Sequence, residues 1–461
     1  MNSAPHWNPF RWKHGLSMAL GCAAVAALAV QLPAQQTSTV PQPQADRLPA
    51  PAPASPKPSR IVERPAGAMP KVPAGFAVTS YAELQAPRMM VYAPNGDLFV
   101  SSPTANSITV LRDANNDGVF EMRSTFAQGE PPAPRGGGGG QRAAGPPPAP
   151  APPAVLGASA PACAAAPAFA SRGPGTLAAP FGMAFSGGYL YVGNTGSIVR
   201  YRYTAGDLQA QGQPEKLLDL PVGGHSTRNI IFNRAGTKMY VAVGSQSNND
   251  AGEDCRRAAI LEFNPDGSGY RVYASGIRNP VGLALQPGTD IIWTAMNERD
   301  NLGDNLVPDY ATSVKDGGFY GWPYSYIGSN YDPRYVGAFP DLVKRAIVPD
   351  VLFPAHSAAL GITFYTGTQF PQRYRNGGFV ALHGSWNRSV AAGYKVVFFP
   401  MVNGTPGPIE DFLGGFLASD GANGAPITTW GRPVGVTVSP DGGLLVSDDT
   451  GNRIWKVTAV R

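Results

Sequence analysis

Short apolar stretches recur along this chain, and each of them follows a turn that contains glycine. They are about five residues long, which suits a β-strand and is too short for an ordinary helix. Most have another short apolar stretch just upstream. The six units are PNGDLFVSS from 94, SGGYLYVGN from 186, RAGTKMYVAVG from 234, QPGTDIIWTA from 286, RNGGFVALHG from 375 and SPDGGLLVSDD from 439.

The spacing of these units indicates a structural repeat. One glycine in each unit serves as a marker: Gly96, Gly187, Gly236, Gly288, Gly377 and Gly442. The intervals are 91, 49, 52, 89 and 65 residues, and the first shortens to 44 without the low-complexity tract 129–175. Repeats of about 40–50 residues with several short strands are typical of propeller blades. The pattern predicts an all-β, six-bladed β-propeller over 70–461. The alternative, a large β-sandwich, gives no reason for six recurrences.

The N-terminus has the pattern of an export signal. Arg11 and Lys13 precede the apolar run LSMALGCAAVAALAV, and small residues follow. We expect a signal peptide over 1–34 and a periplasmic or secreted protein. A lipoprotein signal at Cys22 and an uncleaved anchor are the alternatives, and they are the only membrane association expected. Residues 35–69 are predicted to be a disordered linker, and the Pro-, Gly- and Ala-rich tract 129–175 a surface insertion.

Net charge and cysteine content limit the classes of protein to which this chain could belong. The net charge of +5 falls to +3 without the leader, which is too small and too scattered for a nucleic-acid-binding protein. Cys163 and Cys255 remain after cleavage. An exported protein permits a disulfide between them, and two unpaired thiols are the alternative.

Histidine and arginine recur at equivalent places in the repeat. His225 and His356 lie just before predicted inner strands, and His383 ends a strand. An imidazole titrates near neutral pH, which suits a general base. Arg278 and Arg432 also directly precede inner strands, and Arg388 lies in GSWNRS. Several guanidinium groups around one channel mouth would suit a ligand with several carboxylates or phosphates.

An acidic loop, residues 297–309 (NERDNLGDNLVPD), stands out in a chain that is 15% charged. Glu298, Asp300 and Asp304 offer hard oxygen atoms of the kind that calcium binds. The alternative is a loop held by its own salt bridges, for example through Arg299. The aromatic residues that follow are expected to pack beneath this loop: Phe319, Tyr320, Trp322, Tyr324 and Tyr326.

Four long motifs resemble the sorbosone dehydrogenase family, exported relatives of soluble glucose dehydrogenase, which uses pyrroloquinoline quinone (PQQ). They are SGIRNPVGLAL, NERDNLGDNLVPDYATSVKDGGFYGWPYSYIG, LHGSWNRS and GRPVGVTVSPDGGLLVSDDTGNRIW. The resemblance covers about residues 70–460. It implies a six-bladed propeller with PQQ and Ca²⁺ in the channel mouth.

The resemblance also implies residue roles. His225 would take the proton from a sugar hydroxyl, and Arg278 would polarise the reacting oxygen with Asn279 beside it. Arg388 and Arg432 would hold carboxylates of the cofactor. The acidic loop would bind calcium, with ligands from Asp300, Asp304 and the backbone oxygen atoms near Arg299.

Two positions depart from the family pattern. The family has an aspartate that orients the catalytic histidine where this chain has Ser245, and a second cofactor arginine where it has Val434. Loss of that carboxylate would leave His225 less basic and less well oriented. Despite these departures, the resemblance implies a PQQ-dependent dehydrogenase that oxidises an aldose or sugar aldehyde. Its electrons would pass to a quinone or cytochrome. A calcium-dependent lactonase and a non-catalytic binding propeller are the alternatives.

Overall fold

The structure, a computed structural model, describes residues 41–130 and 173–460. The predicted signal peptide, most of the 129–175 insertion and Cys163 lie outside these ranges. Within them, the chain is nearly all β-structure, which confirms the predicted all-β class. One α-helix and three 3₁₀ turns are the helical segments of the described chain: Pro340–Lys344, and Pro333–Tyr335, Gln372–Tyr374 and Ala422–Gly424.

Six sheets of four or five strands dominate the described residues, and neighbouring strands within each are antiparallel. Sheet 1 contains Met90–Tyr92, Leu98–Ser102, Ser107–Arg112 and Met122–Gln128. Sheet 2 contains Met183–Ser186, Tyr189–Asn194, Ser197–Arg202 and Glu215–Asp219, with Gly173–Pro174 at its edge. Sheet 3 contains Ile230–Phe232, Met239–Val243, Ala259–Phe263 and Arg271–Ser275.

The remaining three large sheets follow in chain order. Sheet 4 contains Asn279–Leu285, Ile292–Asn297, Tyr310–Ser313 and Val351–Leu352. Sheet 5 contains Ala359–Phe364, Gly378–Leu382, Lys395–Phe399 and Glu410–Leu413. Sheet 6 contains Pro433–Val438, Leu444–Asp448, Arg453–Ala459 and, as its outer strand, Phe76–Glu83. The two ends of the described domain are therefore joined in one sheet.

The marker glycines all lie in the turn between the first and second strands of these sheets. Smaller sheets decorate the periphery. They consist of Arg60–Ile61 with Leu417–Asp420 and Ile427–Thr429, of Ser325–Tyr326 with Asn330–Tyr331, and of Met401–Val402 with Thr405–Pro406.

First strands of consecutive sheets contact one another around a common axis. A buried apolar cluster, which we call the axial plug, contains Val281, Leu360 and Val434 from the first strands of sheets 4, 5 and 6. It also contains Phe181, which lies two residues before the first strand of sheet 2. A cavity of about 410 Å³ is lined by first-strand residues of all six sheets, including Met90, Met183, Ile230, Leu283, Ile362 and Val436. Hydrogen bonds or close contacts join sheets in order: Ser101 Oγ to Phe181 O, Gly182 N to Arg228 O, Asn229 Nδ2 to Val281 O, Asn297 Nδ2 to Ala359 O, Gly361 against Val434 O, and Ser447 Oγ to Arg88 O.

Glycine at the axis allows this close approach. A Cβ atom on Gly282 would lie 2.2 Å from Leu360 O, far inside van der Waals contact. We expect Gly282→Ala to lower the free energy of unfolding by about 1–3 kcal/mol, because the first strands of sheets 4 and 5 must separate. Urea denaturation would measure this. Gly173→Ala is the matched control, since no described atom outside its chain neighbours lies within 4 Å of its Cβ position. Equal stability of the two variants would contradict the expectation.

Residues 41–69 have little regular structure but contact the sheets and their loops. Ala52 N donates to Leu302 O (3.0 Å), and Lys57 N donates to Trp386 O (2.8 Å). Arg60–Ile61 pairs in parallel with Thr428 and Thr429. The described part of the predicted linker therefore lies against the domain, because its backbone pairs with peptide groups of the sheet-connecting loops.

Cys255 is disulfide-bonded. This excludes an unpaired thiol at that position, and the predicted partner Cys163 lies outside the described residues. Among the residues with described coordinates, no helix has the length and apolar character that a membrane crossing needs.

Candidate active site

The predicted site residues gather at one end of the sheets. In an antiparallel pair, the start of the first strand and the end of the second lie at the same end. His225, Arg278 and Arg432 precede the first strands of sheets 3, 4 and 6. The acidic loop follows the second strand of sheet 4, and His383 follows that of sheet 5. The structure thus brings together residues that are distant in the sequence.

His225 is held as a neutral imidazole with a defined tautomer. Its Nδ1 lies 2.9 Å from the backbone oxygen of Ser245 and 3.1 Å from the Ser245 hydroxyl. A carbonyl oxygen only accepts, so Nδ1 carries the hydrogen and Nε2 carries the lone pair. Burial, followed by the charge of Arg278, lowers the pKa of His225 to about 3. The causes of this low pKa are burial and Arg278, so the predicted effect of the missing carboxylate at position 245 stays a prediction, and Ser245 orients the ring.

Arg278 is buried and bound on every side. Its Nε donates to Asn248 O (2.9 Å), and Nη1 donates to Glu298 O (2.7 Å). Its Nη2 donates to Asn248 Oδ1 (3.0 Å) and lies 3.6 Å from Asp300 Oδ2. The guanidinium is therefore fixed in position. Its backbone oxygen also accepts from Ser245 N at 2.7 Å, which joins it to the partner of His225.

Asn279 lies beside His225 across a glycine. A Cβ atom on Gly244 would fall 2.4 Å from Asn279 Oδ1 and 2.6 Å from the His225 Cβ. The Asn279 Oδ1 atom is buried and meets no hydrogen-bond donor from the described chain. Gly244 therefore allows Asn279 and His225 to lie close together, a contact that the sequence analysis did not predict.

Asp300 is surrounded by donors. His356 Nδ1 lies 3.2 Å from Asp300 Oδ1, Asn387 Nδ2 donates to the same oxygen at 3.3 Å, and Arg278 faces Oδ2. Burial alone would raise the pKa of Asp300, but the His356 hydrogen bond and the charge of Arg278 hold it below its ordinary value. The carboxylate is ionised and is neutralised by protein side chains.

His356 is a cation in this arrangement. Its Nδ1 faces Asp300, and its Nε2 lies 2.9 Å from Gly303 O. Both partners only accept, so both ring nitrogens must donate. Burial would lower the pKa of His356, but the hydrogen bond and charge of Asp300 raise it above its ordinary value. His356 therefore anchors the acidic loop and is not available as a base.

A second cluster lies across the ring, where sheets 5, 6 and 1 meet. Arg432 donates to His383 O (3.0 Å) and Gly384 O (2.9 Å). His383 Nε2 lies 2.9 Å from Asp449 Oδ1, and Arg88 Nη1 lies 3.2 Å from Asp449 Oδ2. Burial, then the charge of Arg432, lowers the pKa of His383 to about 4. The Asp449 carboxylate is thus shared by the guanidinium of Arg88 and the imidazole of His383.

Arg388 and Asp304 fasten neighbouring loops. The Arg388 guanidinium donates to Val390 O, Ala355 O and Asn305 Oδ1 at 2.5, 3.2 and 3.3 Å. Asp304 Oδ2 accepts from the backbone and hydroxyl of Ser389. Each nitrogen of Arg388 has a protein partner, so its predicted role as a cofactor ligand gains no geometric support and stays a prediction.

The base of the acidic loop is held by its own ion pairs, the alternative weighed for this segment. Arg299 is fully buried, and it bonds Glu298 Oε2 (2.9 Å) and Asp332 Oδ2 (2.9 Å). The aromatic residues predicted to pack beneath the loop are buried, apart from the partly buried Phe319: Tyr320, Trp322, Tyr324 and Tyr326. The Arg299 side chain is a structural anchor. The metal prediction at Arg299 concerned its backbone oxygen, and it stays a prediction.

Among the described residues, neither Asp300 nor Asp304 belongs to a group of three or more metal-binding side chains close enough to share an ion. In the described part of the chain, the acidic group close enough to share an ion is Asp113, Asp117 and Glu121 in an exposed turn. Asp304 Oδ1 and Glu298 Oε1 are nevertheless buried without a donor from any described residue. The acidic loop thus offers single oxygen atoms and backbone carbonyls, not a carboxylate cage.

The sequence analysis missed Arg88, Asn248 and Asp449. Arg88 lies two residues before the first strand of sheet 1, in a place equivalent to Arg432. Asn248 and Asp449 follow second strands, which end at the same mouth where first strands begin. Asn248 and Asp449 could have been predicted from the sequence by considering the residues that follow each second strand.

Comparison with known proteins shows which families this chain is similar to. The sequence profile of the Glucose / Sorbosone dehydrogenase family matches residues 193–385, and a TrAA12-like profile matches residues 343–460. An uncharacterised protein of Borreliella burgdorferi is 35% identical over 239 residues, which cover 50% of this chain and 60% of that protein. A pyrroloquinoline quinone-dependent pyranose dehydrogenase of Coprinopsis cinerea is 27% identical over 297 residues, which cover 50% of this chain and 39% of that enzyme.

The fold is shared with solved structures. The holo form of the PQQ domain of pyranose dehydrogenase from Coprinopsis cinerea superposes with a TM-score of 0.64 at 20% identity, covering 86% of this chain and 98% of that domain. The chain spans about half the length of the curated relatives it matches. These matches confirm the resemblance predicted from the motifs: the chain is similar to the glucose and sorbosone dehydrogenases, most directly over residues 193–385.

Proposed function

We propose that this protein is a PQQ-dependent dehydrogenase that oxidises an aldose or a sugar aldehyde. The observation that carries the proposal is the arrangement at His225. Its Nε2 keeps a lone pair because Nδ1 donates to Ser245, and Arg278 is fixed next to it. A neutral imidazole beside a fixed guanidinium can take a proton from a hydroxyl while the oxygen is polarised.

The frame for this site is a six-bladed propeller. The pairwise contacts from sheet 1 to sheet 6 and back to Arg88 support a closed ring. The cavity lined by all six first strands supports one central channel. A ring of this kind explains why side chains from sheets 3 to 6 meet at a single mouth.

The residues at the mouth fit a polyanionic quinone. PQQ carries carboxylates, which pair well with guanidinium groups. Arg432 and Arg88 lie in one cluster with His383. In this cluster, Asp449 pairs with both Arg88 and His383. The buried Arg88 Nε and the oxygens of Asn279 and Asn387 have no partner from the described residues, which leaves polar atoms ready for a ligand. Arg88, Arg432 and Asn279 would hold the cofactor. Arg278, like Arg388, stays a predicted ligand, because its nitrogens already donate to the protein.

The acidic loop fits calcium less closely than the residues at the mouth fit PQQ, but it offers oxygen atoms of the right kind. Calcium takes carboxylate and carbonyl oxygens. Glu298 Oε1 and Asp304 Oδ1 are buried oxygens that lack a described donor, whereas Asp300 is already neutralised. Asp304 and backbone oxygens near Arg299 and Asp300 are therefore the ligands we propose.

The residues of the chain have distinct tasks in the reaction. His225 Nε2 takes the proton of the sugar hydroxyl, and Ser245 keeps the ring in the tautomer that allows it. The guanidinium of Arg278, whose nitrogens donate to Asn248 and Glu298, would act through its charge and stabilise the negative charge that develops on that oxygen. The axial plug closes the channel with apolar side chains. When bound, PQQ would supply the hydride acceptor for the carbon that carries this hydroxyl, and calcium would polarise the quinone.

We further propose that residues 1–34 export the protein to the periplasm or medium. The disulfide at Cys255 supports this, because such bonds persist in oxidising compartments. The electrons would pass on to a quinone or cytochrome.

An absorbance titration of calcium-loaded protein with PQQ tests the cofactor, and dye reduction across a panel of aldoses and sugar aldehydes tests the reaction. Saturable binding and sugar-dependent dye reduction are expected. Lactone hydrolysis without quinone would instead indicate a calcium-dependent lactonase. Sugar binding without turnover would indicate a non-catalytic propeller.

A further inference from the structure

The carboxylate of Glu253 binds the short segment that holds both His225 and Arg278. Glu253 Oε1 accepts from Ser247 N (2.6 Å) and from the Ser247 hydroxyl (2.6 Å). Its Oε2 accepts from Gln246 N (2.7 Å). All three donors belong to the two central residues of the segment 245–248, which we call the link segment.

The two ends of the link segment hold the two side chains of the site. At one end, the carbonyl and hydroxyl of Ser245 face His225 Nδ1. At the other end, the carbonyl and amide oxygens of Asn248 accept from Arg278. The link segment therefore sets the position of His225 relative to Arg278.

Hydrogen bonds also run continuously from the carboxylate to the imidazole. Glu253 binds Ser247, the Ser247 carbonyl accepts from the Ser245 hydroxyl at 2.7 Å, and that hydroxyl lies 3.1 Å from His225 Nδ1. Since the Ser245 hydroxyl donates to Ser247, its lone pairs face His225. The hydroxyl is oriented to accept the Nδ1 hydrogen only while the link segment keeps this shape.

We propose that Glu253 is the positioning residue of this site, which fixes His225 and Arg278 through the link segment. The inference rests on the proposed function and deepens it. The Ser245 side chain is uncharged, and Glu253 acts on it from outside the segment. It does so by accepting from two backbone N–H groups and a hydroxyl, and not by touching the imidazole.

Glu253→Gln tests the inference, because the amide has the same shape but only one accepting oxygen. Its NH₂ group must face either Gln246 N–H or the Ser247 donors. We expect kcat for the sugar to fall by about 10–100-fold, as is typical of misplaced reacting groups, with less change in KM. Glu253→Asp keeps both oxygens and should give an intermediate loss. Asp254→Asn is the control, since its carboxylate pairs with Arg256 and should leave kcat unchanged.

A second readout does not depend on activity. Nitrogen-15 NMR of the imidazoles in the full-length apoprotein reports the His225 tautomer, with signals assigned from the spectrum of His225→Gln. Wild type should carry the hydrogen on Nδ1, and Glu253→Gln should shift the population toward Nε2–H. Circular dichroism checks that the variants fold.

The outcomes separate this inference from the proposed function. Unchanged tautomer and unchanged kcat in Glu253→Gln would overturn the inference. A tautomer shift with unchanged kcat in an active enzyme would overturn it as well, because the positioning would then not serve the reaction. If wild type oxidises no sugar with quinone, the proposed function fails. The NMR result then decides alone whether Glu253 positions His225.

Discussion

His225→Asn should lower kcat for sugar oxidation by about 10²–10⁴-fold, which is the usual contribution of a general base. Asparagine can still donate to the Ser245 carbonyl, but it has no lone-pair nitrogen at the place of Nε2. Quinone affinity should change little, since other side chains are proposed to hold the cofactor. Stopped-flow dye reduction at saturating quinone, together with the absorbance titration, separates the two effects.

Ser226→Ala is the matched control for that experiment. Ser226 is the next residue in the chain and is exposed, so the variant tests whether any change in this loop reduces activity. It should retain the rate of the wild type. Activity of His225→Asn within threefold of wild type would remove His225 from the mechanism, and with it the main support for the proposed reaction.

Arg278→Ala should damage both stability and function. The change leaves the carbonyls of Asn248 and Glu298 without their donor and deprives Asp300 of one of its two cationic neighbours. Removing one partner of a buried ion pair typically costs about 3–5 kcal/mol. We expect a loss of that size in the free energy of unfolding, measured by urea denaturation of the apoprotein.

The functional part of this prediction needs a milder variant. Arg278→Lys keeps the charge but cannot reproduce a planar fork with several fixed donors. We expect kcat/KM to fall by at least about 100-fold while the protein stays folded, by analogy with the loss of one oxyanion donor. Arg373→Ala, which removes an exposed ion pair with Glu410, should cost less than about 1 kcal/mol and leave kcat/KM unchanged. Wild-type kinetics in Arg278→Lys would show that the guanidinium only supports the loop.

Much of the architecture could be read from the sequence because its turns demand glycine. Gly96, Gly236, Gly288 and Gly442 all adopt positive φ, from 67° to 90°, at the turn that starts each second strand. Such turns mark strand boundaries whatever the strands pack against. The same argument places Arg278 directly before a first strand and His225 five residues before another.

The contacts within the site could not be read in the same way. Whether Asp300 meets calcium or a histidine depends on His356, which lies 56 residues further along the chain. Arg388 resembled a ligand because guanidinium groups bind anions, but carbonyls of neighbouring loops already occupy its nitrogens. Nothing in the sequence marks Glu253. Its partners are two backbone N–H groups and the Ser247 hydroxyl, and a polar residue in a loop is ordinarily solvated.

The outer strand of sheet 6 has a consequence for how this protein is made. Phe76–Glu83 pairs along its length with Arg453–Ala459, so that Phe76 faces Ala459. The early segment has no partner until Arg453–Ala459 is available to fold. A chain that stops before Arg453 would leave that strand with open peptide groups, and such edges recruit other chains. Chains that lack the late segment should therefore aggregate more readily than chains that contain it.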